Sequence, residues 1–265
     1  MNRFLRKGLK IMGKIITLMN EKGGVGKSSL TYSVAWELAK NHQKVLIIDM
    51  DGQMANITYL AGVETRDDTK TMNDVLLHNT SIKDAIVRVH PELSLDLVPA
   101  TMAMAEPMIT AKVSRIKKVV KEIRNQYDYI FFDVNPSPDT KHALTLAVTD
   151  YVGIVMLPDV LSLEANLGVI ESIQEIQDGV NVNLQILGII LNQYNTQTNM
   201  SKAVMKKVSQ MADALDTKVL EQKVRKAVVV GESAVAHQGV TGYAPKSAVA
   251  ADMEALTKEI QQEVQ

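Results

Sequence analysis

A glycine- and lysine-rich segment at residues 21–29 constrains this chain more than any other feature of its sequence. The segment reads Glu-Lys-Gly-Gly-Val-Gly-Lys-Ser-Ser, follows the apolar run Ile15–Met19, and precedes a helical pattern that begins at Leu30. Glycines let the backbone approach an anion without a Cβ clash, and the N–H groups at a helix N-terminus attract negative charge. A strand, a glycine-rich turn and a helix start in this order predict a phosphate-binding loop.

The side chains of the loop indicate which phosphates it would bind. Lys27 is placed to reach the β- and γ-phosphates of a nucleotide, and the Ser28 hydroxyl to hold Mg²⁺. The common pattern G-x-x-x-x-G-K-[ST] needs a glycine where this chain has Glu21, and the chain instead carries an additional lysine, Lys22. An accidental glycine-rich turn is the alternative, and the spacing, the context and the two lysines argue against it. The predicted nucleotide-binding residues of the loop are Lys22, Gly23, Gly24, Val25, Gly26, Lys27, Ser28 and Ser29.

The octet from Lys22 to Ser29 resembles the deviant Walker A box of the ParA/MinD family of ATPases. The resemblance runs from about Lys14 to about residue 260 and is strongest to the short, Soj-like ParA proteins that partition plasmids and chromosomes. It implies that the chain binds ATP and Mg²⁺ and hydrolyses ATP, with Lys22, Lys27 and Asp51 as catalytic residues. In that family the lysine matching Lys22 reaches across a nucleotide-sandwich homodimer to the partner's phosphates, where its charge would stabilise the transition state.

Length and composition bound the class of protein. With 265 residues, 46% of them apolar, the chain can bury a sizeable core, and no linker-like stretch divides it. We therefore expect one ATPase domain over residues 14–265, preceded by a basic extension over residues 1–13. The absence of cysteine excludes disulfides, thiol catalysis and cysteine-bound clusters, and the net charge of −1 gives no general attraction to nucleic acid. Because no apolar run approaches about 18 residues and no signal-peptide pattern is present, we expect a cytoplasmic protein.

Short apolar runs alternate with helical patterns along the chain. Several of these runs contain almost no polar residue, as expected for strands that are covered on both faces of a sheet. The alternation predicts an α/β fold with a doubly wound, mostly parallel sheet and helices on both faces. The predicted strands are Lys14–Asn20, Lys44–Asp49, Leu93–Pro99, Tyr129–Asp133, Tyr151–Leu157 and Leu184–Leu191. The predicted helices are Lys27–Asn41, Met102–Gln126, Leu161–Gln177, Met200–Ala214 and Ala248–Glu263.

Two carboxylates stand at the end of the second predicted strand. Side chains alternate along an extended chain, so Asp49 and Asp51 lie on the same side. The matching motif of the ParA/MinD family is D-x-D-P-Q, in which the residue corresponding to Asp51 positions the attacking water and the residue corresponding to Asp49 lies near Mg²⁺. This chain has Gly52 where proline is usual, and capping of the next helix is the alternative role for the two acids.

The predicted strand Tyr129–Asp133 also ends in a carboxylate. An apolar strand ending in aspartate is the Walker B arrangement, in which the residue corresponding to Asp133 would hold a Mg²⁺-bound water. Ser28, Asp49 and Asp133 make up the predicted metal site. Family members continue D-T-P-P-S, whereas Val134 and Asn135 replace the Thr-Pro pair here, in the stretch expected to sense the γ-phosphate.

Asn192 follows the last predicted strand directly. In this superfamily an asparagine at that position tends to lie beside the adenine, and a carboxamide suits a purine edge because it both donates and accepts hydrogen bonds. A simple turn residue at the end of a strand is the alternative.

Two basic clusters are candidates for contact with DNA. In the DNA-partition branch of the family, basic residues on one edge of the ATP dimer contact phosphates without reading sequence. Two positions that are usually basic in that branch are Gln197 and Val229 here, so neighbouring basic residues would have to make these contacts. The candidates for DNA binding are Lys202, Lys206, Lys223, Arg225 and Lys226. The second cluster contains Lys112, Arg115, Lys117, Lys118, Lys121 and Arg124, and an ordinary solvated helix face is the alternative for either cluster.

The resemblance favours a ParA-type ATPase that dimerises on ATP, binds nonspecific double-stranded DNA on the nucleoid, and is stimulated by a ParB-like, centromere-bound partner. A MinD-like membrane-cycling ATPase is the second hypothesis. Membrane contact is less favoured because residues 255–265 are mildly acidic and poor in bulky apolar side chains, which leaves the basic N-terminus as the only candidate. A third hypothesis is an ATPase that positions a protein cargo, which predicts the same sequence features as partition.

Overall fold

Seven strands form the centre of the protein in a computed structural model, which describes residues 12–51, 56–101, 112–137, 139–159, 166–195 and 199–265. Six of them match the predicted strands to within two residues at each end. The strand Val87–Arg88 was not predicted, because two residues are too few to show an alternating pattern. The strands are β1 (Lys14–Met19), β2 (Val45–Asp49), β3 (Val87–Arg88), β4 (Leu95–Val98), β5 (Tyr129–Asp133), β6 (Tyr151–Met156) and β7 (Gln185–Leu191).

The strands form one sheet in the order β3-β4-β2-β5-β1-β6-β7. Every neighbouring pair is parallel except β3 and β4, which pair antiparallel at one edge. The order places β1 near the centre and winds the chain outward in both directions. The predicted doubly wound, mostly parallel sheet is therefore confirmed.

Helices connect the strands, and none of those described has an apolar stretch long enough to cross a membrane. The predicted helix Met102–Gln126 begins only at Val113 in the structure, and residues 102–111 lie outside the described part of the chain. Six helices of seven residues or fewer were not predicted, since fewer than about two turns give little periodicity. The helices are α1 (Lys27–Lys40), α2 (Asn56–Leu60), α3 (Met72–Leu77), α4 (Ile82–Ala85), α5 (Val113–Ile123), α6 (Thr140–Leu146), α7 (Asn166–Gly179), α8 (Asn199–Ala214), α9 (Val229–Val235), α10 (Val240–Tyr243) and α11 (Ala248–Glu263).

Two apolar cores lie on opposite faces of the sheet, because neighbouring strand residues point alternately to each side. Ile15 and Leu46 belong to the core that α5, α6, α7 and α8 cover. Ile16 and Ile47 belong to the core that α1 and α11 cover. Helices therefore pack on both faces, as predicted. Of the predicted basic extension, residues 1–13, only Met12 and Gly13 are among the described residues.

The single tryptophan of the chain packs the C-terminal segment against α1. Trp36 is 5% exposed and meets the ring of Tyr32 edge-on at a centroid distance of 6.0 Å. A Cβ at Gly239 or Gly242 would approach atoms of Trp36 to 2.3 and 2.6 Å, so both positions need glycine. Close packing therefore joins α1, which begins at the predicted phosphate loop, to the turn around α10.

The strand order brings the predicted site residues together. β2, β5 and β1 are neighbours in the sheet, and the register of β2 and β5 pairs Asp49 with Asp133. In a parallel sheet the loops after the strands leave from one edge, which is where such folds bind ligands. The predicted phosphate loop after β1 and the acids that end β2 and β5 consequently meet at this edge.

Candidate nucleotide-binding site

The loop between β1 and α1 has the backbone shape of an anion-binding turn. Gly24 and Gly26 have φ angles of +76° and +89°, a left-handed conformation that glycine adopts at little steric cost. Gly26 caps α1, and its carbonyl accepts the hydrogen bond from the Leu30 N–H at 2.9 Å. Because no acidic residue lies in the first turn of α1, the positive end of the helix dipole is left for an external anion.

Lys27 is the first residue of α1 and is almost buried, with 7% of its surface exposed. Burial lowers the pKa of its ammonium group, and the carboxylates of Asp133 and Asp51 oppose that shift. The structure thus brings together the lysine of the loop and the acids that follow two neighbouring strands. One cation interacting with two anions forms the charged centre of the site.

The Asp133 carboxylate is the strongest candidate for binding a divalent cation. It is 1% exposed, and neither of its oxygens has a hydrogen-bond partner among the described residues. Burial and the nearby Asp49 raise the pKa of Asp133; the Ser28 hydroxyl beside it favours the ionised form, although the two groups do not reach hydrogen-bond geometry. A buried, unpaired carboxylate is costly unless a cation or a proton neutralises it. Ser28 and Asp133 therefore fit Mg²⁺, which prefers oxygen ligands.

Asp49 holds the segment that follows β2. One carboxylate oxygen accepts from the Asp51 N–H at 2.9 Å, and the other accepts from the Thr58 N–H at 3.1 Å and the Thr58 hydroxyl at 2.6 Å. Burial raises the pKa of Asp49, but these donors already engage both oxygens. Asp49 is therefore better placed to fix the loop than to bind a metal directly, and its predicted part in the metal site stays a prediction. Thr58 was not singled out from the sequence, because it lies nine residues from Asp49.

The Asp51 carboxylate lines the same cleft as the phosphate loop. It is 3% exposed, and its Oδ2 accepts a hydrogen bond from Asn56 Nδ2 at 3.2 Å. Asn56 is the first residue of α2, so this helix orients the carboxylate. Gly52, the departure from the family motif, lies outside the described residues.

Lys22 lies at the surface of the loop with its side chain in an ion pair. Its Nζ is 3.3 Å from Asp159 Oδ2, and the two side chains are 31% and 34% exposed. Its backbone N–H donates to Asn20 Oδ1, and Asn20 Nδ2 in turn donates to the carbonyl of Val155 on β6. An exposed ion pair contributes only about 0–1 kcal/mol. The structure therefore fixes the backbone of Lys22 and leaves its ammonium group able to move to another anion.

Asn192 contacts the phosphate loop from the end of β7. Its Nδ2 donates to the Val25 carbonyl at 2.7 Å, and the side chain is 6% exposed. A Cβ at Gly26 would lie 2.5 Å from this nitrogen, so the asparagine and the glycine fit only together. Gln193, with φ of +52°, adds a longer hydrogen bond of 3.3 Å to the Gly24 carbonyl. The structure places Asn192 as an anchor of the loop, and contact with adenine stays a prediction.

Two clefts adjoin the loop and share Gly24, Gly26 and Ser29. The first has a volume of about 460 Å³ and contains Lys27 and Asp51. The second has a volume of about 350 Å³, and its apolar wall includes side chains that single-sequence reasoning missed. These are Leu30, Ala227, Val230 and Met253. The first cleft suits phosphates, and the second suits a flat, largely apolar group such as a base.

The segment after Asp133 is fixed by a buried histidine. Asn135 lines the first cleft, and its carbonyl lies 2.6 Å from Nε2 of His142. His142 is 4% exposed, and burial lowers its pKa. No sequence pattern predicted this contact, since the histidines show no regular spacing. His142 therefore positions the stretch that is predicted to sense the γ-phosphate.

The predicted DNA-binding residues lie in two separate regions, on α8 and in a cleft beside α11. Lys206 is exposed on α8. Lys223, Arg225 and Lys226 lie together along a surface cleft of about 700 Å³ beside α11. The side chain of Lys202 lies outside the described residues.

The basic side chains along the cleft beside α11 interact partly with other residues of the protein. Arg225 donates from Nε and Nη2 to the two carboxylate oxygens of Asp252 at 2.6 and 2.8 Å. The Lys223 Nζ lies 5.4 Å from the ring centroid of Tyr194. Arg225 and Lys226 also line the second cleft at the phosphate loop. Arg225 was predicted to contact DNA or to lie on a solvated helix face, whereas in the structure the Asp252 carboxylate neutralises it.

Most of the chain is similar to known proteins. Residues 13–186 match the family described as an AAA domain. The chain is 28% identical to the virulence plasmid ParA family protein pGP5-D of Chlamydia psittaci, over 94% of each chain. It is 30% identical to the sporulation initiation inhibitor protein Soj of Bacillus subtilis, covering 81% of this chain and 86% of that relative.

A solved structure shows that the fold is shared as well. Apo McdA from Cyanothece has a TM-score of 0.84 and 15% identity, and the match covers 95% of this chain and 99% of that chain. The family match, the relatives and the two-lysine loop point to the same group. The chain belongs to the ParA/MinD family of P-loop ATPases.

Proposed function

We propose that this chain is a partition ATPase that binds ATP with Mg²⁺, dimerises on it, and cycles on and off nonspecific double-stranded DNA as it hydrolyses ATP. The observation that carries the proposal is the convergence of Lys27, Asp51 and Asp133 on one glycine-rich loop. The two clefts that adjoin the loop, of about 460 and 350 Å³, offer room for the phosphates and for the base. Both volumes fall in the range of about 300–1,000 Å³ that is usual for ligand pockets.

The residues of the first cleft would have separate roles in phosphoryl transfer. Ser28 and Asp133 would hold Mg²⁺, which supplies neutralising charge to the β- and γ-phosphates when bound. Lys27 would stabilise the negative charge that develops on the oxygen between these phosphates. Backbone N–H groups at the start of α1 would fix the phosphate oxygens in place.

Asp51 would orient the attacking water, and Asn56 would hold the Asp51 carboxylate toward it. The water oxygen forms a bond to the γ-phosphorus, and the bond from that phosphorus to the β–γ bridging oxygen breaks. ADP and inorganic phosphate then leave, and the proton of the water ends on the phosphate product or in solvent. The reaction needs little covalent help from the protein, so positioning and electrostatics supply the catalysis.

Lys22 would act only in a dimer. In the described chain it pairs with Asp159 at the surface, and a partner's γ-phosphate would offer it a stronger anion. A second cation at the γ-phosphate would stabilise the transition state, as an arginine finger does. Dimerisation would thereby be linked to ATP.

Partition is favoured over the other uses of this fold by the relatives. One relative is named as a plasmid ParA family protein and matches over 94% of both chains. A cycle of this kind needs a DNA surface, which for a cytoplasmic ATPase is the nucleoid, and a ParB-like partner that triggers hydrolysis at the cargo. Phosphate contacts without base readout suit a protein that must bind everywhere on DNA.

The test compares two surfaces under one set of conditions. Retention of the protein is measured on random-sequence duplex DNA and on vesicles of phosphatidylglycerol and phosphatidylcholine, each with ATP, with ADP and without nucleotide. ATP-dependent retention on DNA alone is the expected result, and Lys27→Ala should remove it. Retention on vesicles without DNA binding would replace partition by a membrane cycle, and no retention on either surface would contradict both.

A further inference from the structure

The second basic cluster of the sequence lies on α5, and the structure separates its members into two kinds. Arg115 donates from Nε and Nη2 to the Val75 carbonyl at 3.1 and 2.9 Å. Arg124 donates from Nε to the Gly13 carbonyl at 2.9 Å and pairs with Asp150. These two arginines therefore hold neighbouring parts of the fold together. Among the described residues, the lysines of the helix make one contact of this kind, from Lys117 to the Val180 carbonyl.

Three lysines form one exposed face of α5. Lys117, Lys118 and Lys121 are all exposed, and with about 100° per residue they lie within an arc of about 100°. Among the described residues, none of them comes within ion-pair distance of a carboxylate. Lys117 donates one hydrogen bond, to the Val180 carbonyl at 3.1 Å, and this leaves its charge uncompensated. Lys112, at the N-cap of α5, is exposed as well.

The C-terminal cluster differs in this respect. Arg225 has both carboxylate oxygens of Asp252 against its guanidinium group, and Lys223 is half-buried over the ring of Tyr194. A phosphate can displace such partners only at a cost, because the acid loses its own partner. Among the described residues, the lysines of the α5 face have no carboxylate partner, so a phosphate can approach them without displacing one.

We propose that the lysine face of α5, formed by Lys117, Lys118 and Lys121, contacts the phosphate backbone of double-stranded DNA. The proposal rests on the proposed function and names a surface for it. Lys117 and Lys121 are four residues apart on α5, or about 6 Å along the helix axis, which corresponds to about two base pairs at about 3.4 Å each. The three lysines can therefore contact neighbouring phosphates of the backbone without reading bases.

DNA fits the face better than a lipid surface does. The apolar residues of α5 pack on the core: Ile116, Val119, Val120 and Ile123 are between 0% and 4% exposed, and the half-buried Val113 packs against the same core. A helix that binds a membrane needs an exposed apolar side to insert below the headgroups. The exposed side of α5 offers charge and polar groups only, which is what contact with phosphates requires.

The salt dependence of DNA binding tests the proposal. Each phosphate contact contributes about 0.9 to the slope of log K against log salt. The variant K117Q/K118Q/K121Q, measured with ATP on random duplex DNA, should therefore lose about 2 to 3 from the wild-type slope. The matched control is K83Q/K246Q/K258Q, which removes the same charge from exposed positions elsewhere and should change the slope by less than one contact.

The outcomes separate this proposal from the function on which it rests. A wild-type slope retained by the α5 variant, or an equal loss in the control, would overturn the α5 surface while leaving DNA binding intact. Absence of ATP-dependent DNA binding in the wild type would overturn both. Loss of binding to phosphatidylglycerol vesicles with unchanged DNA binding would assign the face to lipid instead.

Thermal unfolding checks that each variant is folded. The single variant Lys118→Gln, with an expected loss of about 1 in slope, repeats the test with a smaller change to the protein.

Discussion

Replacement of Asn192 by alanine tests how the phosphate loop is held. The change removes the 2.7 Å hydrogen bond from Nδ2 to the Val25 carbonyl, in a side chain that is 6% exposed. A hydrogen bond of this kind contributes about 0.5–1.5 kcal/mol net. Without it the loop would occupy its binding conformation for a smaller fraction of the time, and the apparent affinity falls by that fraction. We therefore expect phosphate binding to weaken about 2- to 12-fold.

The choice of ligands decides between an anchor and a base contact. Calorimetry would compare Mg²⁺-ATP with Mg²⁺-tripolyphosphate, which carries the phosphates without a base. If Asn192 anchors the loop, its loss should lower the affinity for both ligands by the same factor, because both bind to the loop. If Asn192 contacts adenine, its loss should lower the affinity for ATP alone. The reasoning is refuted if Asn192→Ala leaves the affinity for tripolyphosphate unchanged.

A neighbouring residue provides the control for this experiment. Gln193→Ala removes only the longer hydrogen bond of 3.3 Å to the Gly24 carbonyl, which is exposed to solvent. A weak, solvated bond contributes little, so both affinities should change less than about 2-fold. A loss at Gln193 as large as that at Asn192 would show that the loop responds to any nearby change.

Four further predictions follow from the charged residues of the site. Lys27→Ala should abolish ATP binding in calorimetry, because it removes the cation at the β- and γ-phosphates, and unchanged affinity would contradict the assignment of the loop. Asp51→Ala should bind ATP and dimerise but hydrolyse it about 10²-fold or more slowly in a phosphate-release assay; normal turnover would show that another group orients the water. Lys22→Gln should bind ATP as a monomer yet form no ATP-dependent dimer in light scattering, and a persisting dimer would argue against a lysine that acts across the interface. Chelation of Mg²⁺ should weaken ATP binding to wild type but much less in Asp133→Asn, where the buried carboxylate that would hold the ion is neutral; equal weakening in both would place the ion elsewhere.

The local parts of the site could be predicted from the sequence. The phosphate loop is contiguous, so its glycines, Lys27 and Ser28 appear together in the pattern, and Asp133 is marked by the apolar strand before it. The parallel order of the strands then brings these parts to one edge without further specification. The six longer strands could be placed to within two residues because each is a contiguous apolar run.

Contacts between distant segments could not be predicted in this way. Arg225 and Asp252 are 27 residues apart, and only the packing of α11 brings them together. Asp159 is 137 residues from Lys22, and Met253 reaches the second cleft from the other end of the chain. No local sequence pattern predicts such pairs, because they depend on how the helices pack on the sheet. A charge that looks free in the sequence can therefore be neutralised in the fold, as Arg225 is.

The packing of Trp36 gives the protein an optical reporter of its own. Because the chain has one tryptophan, all of its indole fluorescence comes from the contact between α1 and the glycines at 239 and 242. Trp36 is 5% exposed, so its emission maximum should be that of an indole buried away from water. The maximum should shift to longer wavelength if the contact opens. Since α1 begins at the phosphate loop, a titration with nucleotide followed at this one ring would reveal, without any label, whether occupancy of the loop moves the C-terminal segment.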